Sequence, residues 1–161
     1  MSRGSKDASK TTRFLNVDLD VYSRSNLQPL VTALGSKVFV LYAGREKRTY
    51  SAHLELARDP KNADASIRGF CALVKSLPRA QRALWNAAKV RDFNIGVQAA
   101  MDPFSYRTEL AADTVKAVSE IDSRIVFTIY APEDGRPRSQ RVKPRPKQGV
   151  KRVLNKKPVA Q

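Results

Sequence analysis

The stretch RFLNVDLDVYS, residues 13–23, alternates strictly. Leu15, Val17, Leu19 and Val21 point one way while Asn16, Asp18 and Asp20 point the other, which predicts a half-buried strand. SNLQPLVTALG follows with Leu27, Leu30, Val31 and Leu34 at helical spacing, Ser25 or Asn26 as cap and Gly35 as stop. Pro29 suits a first turn and would disturb an interior, so this helix is short. KVFVLYA and TYSAHLELA are β-rich runs separated by GREKR, which predicts a hairpin.

The period then changes. Ile67, Phe70, Cys71, Val74 and Leu77 recur at helical spacing up to Pro78, which opens a second helix over PRAQRALWNAAK. DFNIGVQAAM alternates again, with Phe93, Ile95, Val97 and Ala99 against Asn94, Gly96 and Gln98. DPFSY reads as a loop and YRTEL as a short edge strand. ADTVKAVSEI reads as a helix with Val115, Val118 and Ile121 inward, and RIVFTIYA as a dense β-branched strand suited to a central place. The expected fold is α+β: an open, mostly antiparallel sheet of about five strands with helices on one face.

Composition divides the chain. Residues 1–12 offer almost nothing to bury and predict a disordered lead; 13–131 predict one domain with a single core. Residues 132–161 hold five of the nine prolines and no aromatic residue, which predicts a disordered tail. The net charge is +15, and its location matters more than its size. Residues 132–161 have ten Lys and Arg against two acids, a net of +8; residues 1–12 carry +2, and 13–131, with seventeen bases and twelve acids, carry +5. One part of the tail, GVKRVLNK, sets Val150, Val153 and Leu154 at i, i+3 and i+4, a turn suited to forming against a partner.

The segment SIRGFCALVKSLPRAQRALWNAAKVRDFNIGVQAA, with a later helix and the closing RIVFTIYAP, resembles small bacterial α+β domains of unknown function, in which a strand, a helix and a last strand ending in Ile-Tyr close the sheet. The resemblance covers about half the chain. It implies a fold and no activity, and carries over no functional residue.

Candidate chemistry is sparse. One cysteine excludes an internal disulfide and a zinc-finger ligand set, and suits a reducing cytosol. No apolar run reaches membrane-spanning length, and MSRGSKDASKTTR lacks a secretory apolar stretch. The second residue is Ser2 and not the glycine that myristoylation needs, so cytoplasm is the expected location. Neither GSK nor GREKR has the glycine spacing of a phosphate loop, and no cofactor is expected.

Asp18 and Asp20 stand about 7 Å apart along one strand face. His53 and Glu55 take the outward positions of another strand, Asn94 and Gln98 those of a third. Were these strands neighbours, the residues would gather into a set fit for a divalent cation and a metal-dependent hydrolase. A solvated sheet face needs such residues anyway, and that reading is preferred; no metal site or catalytic residue is assigned, and an enzymatic function is disfavoured. His53, the sole histidine, reads as a surface residue, Cys71 as a core thiol, and Trp85 as core packing before base stacking.

The basic residues are the main lead. Arg79, Arg82, Asn86 and Lys89 are spaced to line one helical stripe, and Arg45, Lys47 and Arg48 make a basic turn. The tail adds Arg138, Arg141, Lys143, Arg145, Lys147, Lys151, Arg152, Lys156 and Lys157. Cations separated by proline attract phosphate backbones without reading sequence, which predicts a binding module making non-specific, salt-sensitive contact with RNA or DNA. The alternative is a protein–protein or immunity-like adaptor for an acidic partner.

Overall fold

A computed structural model describes residues 11–58 and 60–132. The expectations for residues 1–10 and for the segment beyond Pro132 lie outside the described residues. The element order is β1 (Arg13–Ser23), α1 (Gln28–Leu34), a 3-10 turn (Gly35–Lys37), β2 (Val38–Glu46), β3 (Thr49–Leu56), α2 (Ala63–Lys75), α3 (Arg79–Ala87), β4 (Val90–Gln98), α4 (Ala112–Glu120) and β5 (Arg124–Tyr130). The five strands form one sheet in the order β2-β3-β1-β4-β5, antiparallel throughout except for the parallel pair β4–β5.

The alternating residues build the core. Val17, Leu19 and Val21 of β1, Ala52 and Leu54 of β3, and Phe93, Ile95 and Val97 of β4 are buried on one side. Helical stripes meet them: Leu30, Val31 and Leu34 from α1, Ile67, Phe70, Cys71 and Val74 from α2, and Trp85 from α3. Phe70 and Phe93 stack with centroids 5.8 Å apart, joining α2 to the sheet. Burial pushes the Cys71 thiol up to about 11, as suits a core residue and not a nucleophile.

Turn chemistry follows the sequence closely. Gly35 ends α1 at φ 57°, ψ −140°, a backbone state that side chains disfavour even though a Cβ there would meet nothing. Asn62 caps α2, its side chain accepting from Ala65 N–H. At α1 the cap position falls to Leu27 and not to Ser25 or Asn26; the Asn26 side chain still accepts from Gln28 N–H.

Four expectations are corrected. Residues 106–110 form no strand. Among the described residues strand β5 lies at the sheet margin, bonded only to β4, and leaves Phe127 and Ile129 exposed; its β-branched run matches the parallel pairing, but α4 covers only its beginning. On α4, Thr114 and Val118 turn inward and Val115 faces out, because the helix runs only from Ala112 to Glu120 with its buried stripe at i, i+4. In β1 a bulge sets one extra residue between Phe14, opposite Val97, and Val17, opposite Ile95. Phe14 therefore packs against the core in the place expected of Leu15.

Candidate functional site on the open sheet face

Among the described residues all helices lie on one side of the sheet and none covers the opposite face, where strand order decides what gathers. β3 and β4 flank β1, so the polar positions of three strands form rows. His53 pairs with Asp20, which pairs with Asp92, which pairs with Arg124. In the next row Asp18 pairs with Asn94. Asp18, Asp20, His53 and Glu55 thus converge, as the sequence left open.

The contacts are specific. Nδ1 of His53 donates to Oδ1 of Asp20 at 2.6 Å, since an ionised carboxylate can only accept. Tyr22 meets the imidazole edge-on at 5.5 Å and Tyr42 lies tilted at 5.9 Å, so the ring is held from three sides. Asn16 Nδ2 donates to Asp18 Oδ1 at 2.9 Å and to Glu55 Oε1 at 2.5 Å, bridging the two carboxyls. The Asn16 side chain has room because Gly96 beside it has no Cβ; one added there would stand 2.7 Å from Asn16 Oδ1. Arg124 grips Asp92 with two bonds of 2.7 and 2.8 Å, and Thr128 donates to Asn94 Oδ1.

The electrostatics are those of a crowded acidic strip. Asp18 is pushed up to about 7, first by burial, then by its hydrogen bond to Glu55 and by the negative charges of Glu55 and Asp20, with His53 opposing. Asp18 therefore keeps its proton far into the range where a free aspartate has lost it. The Tyr22 hydroxyl is likewise raised, by burial and then by Asp20, Asp92 and Glu46. Among the described residues no three His, Cys, Asp or Glu side chains are arranged to hold a metal ion. A cleft of about 430 Å³ opens beside Glu55, with Asn16, Phe39 and Pro60 on its walls.

The basic residues take different positions. Arg79 and Lys89 are exposed, but Lys89 follows the end of α3 and so lies off the helical stripe. Arg82 donates to Val74 O at 2.5 Å and so satisfies the C-terminal end of α2. Arg45 lies over the Tyr50 ring at 5.5 Å, and Lys47 and Arg48 form the exposed β2–β3 turn. The nine tail residues from Arg138 to Lys157 lie outside the described residues. Trp85 is fully buried and donates from Nε1 to Ile121 O at 3.0 Å, as core packing requires.

Asn16, Tyr22, Tyr42, Asp92, Arg124 and Gly96 complete the face; Asn16 and Gly96 were legible as outward positions without a role, and the other four were not singled out from sequence. For Asp92 a signal existed, since it continues the alternation read over Asn94, Gly96 and Gln98. Among the described residues no helix is long and apolar enough to cross a membrane. No known family model matches the chain, and neither does any curated protein or solved structure.

Proposed function

We propose that the protein is a binding module that contacts nucleic acid non-specifically through its basic C-terminal segment, assisted by exposed cations of the domain. The supporting observation is the partition of charge. The segment 132–161 carries +8, whereas the open sheet face is acidic and would repel phosphate. Several domain cations are already committed: Arg91 to Asp122, Arg124 to Asp92, Arg68 to Asp64, Lys75 to Glu120. Arg79, Lys89, Lys47 and Arg48 are exposed and add to the attraction. The segment has no aromatic residue to stack on bases, so affinity without sequence preference is the expected behaviour.

The test is an anisotropy titration of the full chain with labelled RNA and DNA at several salt concentrations. Neutralising about six phosphates gives a log–log slope near −5 on duplex and a shallower one on single strands. Replacing the tail Lys and Arg with Gln should remove most of the affinity; unchanged affinity would end this reading. An acidic protein would meet the same cations, and recovery of one stoichiometric partner after nuclease treatment would favour it instead.

A further inference from the structure

We propose that the basic segment 133–161 lies across the acidic open face of the sheet in the free protein and is released from it when a polyanion binds. Among the described residues nothing covers the face, since every helix packs on the other side. Among the described residues it carries Asp18, Asp20, Glu55, Asp92 and Glu46 against two arginines: Arg124, which is already paired, and Arg13, which stands opposite Gln98 at the end of β1. The only strongly complementary stretch of the chain is the one that follows β5.

Geometry permits the contact. The exit is fixed at the sheet margin: Gln98 Nε2 donates to Ala131 O at 2.8 Å, and Ala99 N–H to Tyr130 O at 2.9 Å. Asp18 pairs with Asn94 and Asn94 with Val126, which places Asp18 two strands in and about four residues back from the exit. At the usual strand spacing and rise that is roughly 16 Å. Five extended residues span about 17 Å, and Arg136, the first cation after the exit, is the fifth residue beyond Ala131. Glu133 and Asp134 fall within the span, before any carboxylate of the face is reached. Tyr22, Tyr42 and the 59%-exposed Phe39 add ring surface for guanidinium and ammonium groups.

Contacts of this kind are individually weak and are screened by salt, but a short tether supplies an effective concentration on the order of millimolar. That is enough to hold the segment and little enough for a phosphate chain to displace it. The contact stands on the two charge patterns; the displacement rests on the nucleic-acid reading above.

Carbodiimide coupling of the full chain tests it. At low salt, mapping by mass spectrometry should find Lys143, Lys147 or Lys151 joined to Asp18, Asp20 or Glu55 within one chain, as a mixture of light and heavy protein distinguishes. Yield should fall several-fold in 0.5 M NaCl or with excess single-stranded oligonucleotide. A spin label on Ser139→Cys, with Cys71 buried from the reagent, should broaden the amides of residues 18–20 and 53–55. The reversal K143E/K147E/K151E, which leaves the domain's own sequence intact, should restore them. Lysines coupled only to acids elsewhere or only to a second chain would overturn the contact, as would unbroadened amides. Cross-links unchanged by saturating oligonucleotide would overturn the release.

Discussion

Asp20 and His53 face each other across the β1–β3 ladder with Oδ1 and Nδ1 2.6 Å apart. A carboxylate in that position fixes the tautomer of the neutral ring, leaving its proton on Nδ1 and Nε2 open. Long-range proton–nitrogen spectra of the neutral imidazole should show the Nδ1–H form in the native protein. In Asp20→Ala the Nε2–H form should take over. An unchanged tautomer would mean that the contact does not orient the ring.

The raised carboxyl of Asp18 makes stability depend on pH. Asp18 is raised from 3.8 to about 7, so the folded state holds a proton that the unfolded chain has released. The contribution is complete below about pH 4 and is lost as pH rises through about 7. Asp18→Asn keeps a donor toward Glu55 without that proton. The difference in melting temperature, variant minus native, should therefore rise between pH 5 and pH 8 and then level off. A difference independent of pH would contradict the raised value.

Two glycines that look alike should behave oppositely. A Cβ on Gly96 would stand 2.7 Å from Asn16 Oδ1, pushing away the amide that bridges Asp18 and Glu55. On Gly69, within α2, it would meet at 2.8 Å only the flexible end of Leu56. Gly96→Ala should cost about 1–2 kcal/mol and move the carboxyl resonances of Asp18 and Glu55. Gly69→Ala gains helix propensity of up to about 1 kcal/mol and should come out near neutral. Urea unfolding with carbon-detected spectra compares the pair.

Arg91 points into the protein from β4 and closes the end of α3. Its guanidinium donates to the carbonyls of Trp85, Asn86, Ala88 and Asp122 and pairs with the Asp122 carboxylate. Arg91→Gln strands several of these carbonyls and should cost about 3 kcal/mol in urea unfolding. Arg91→Lys retains the charge but loses the fork, and should recover less than half.

Local pattern carried most of the fold. The alternation of Leu19 with Asp18 and Asp20, the Phe70–Val74 stripe and the stop at Gly35 each depend on neighbours a few residues away, and each is visible in the chain. The departures come from tertiary context. The bulge that turns Phe14 inward answers to Val97, more than eighty residues on, and the marginal place of β5 follows from strand order, which no periodicity encodes. The site divides the same way. Asp18, Asp20, His53 and Glu55 were legible as outward residues, but their meeting required β3 beside β1. Tyr42 reaches His53 only through a second bulge, between Val40 and Tyr42, and nothing in KVFVLYA announces it.

Trp85 is the sole indole of the chain, wholly enclosed, with its nitrogen tied to Ile121. Its emission is therefore an intrinsic optical gauge of the interior, on the side of the sheet opposite the acidic strip. Any variant of the strip whose fluorescence keeps its native colour has been altered locally, and its lost or gained binding can be assigned to the substituted side chain.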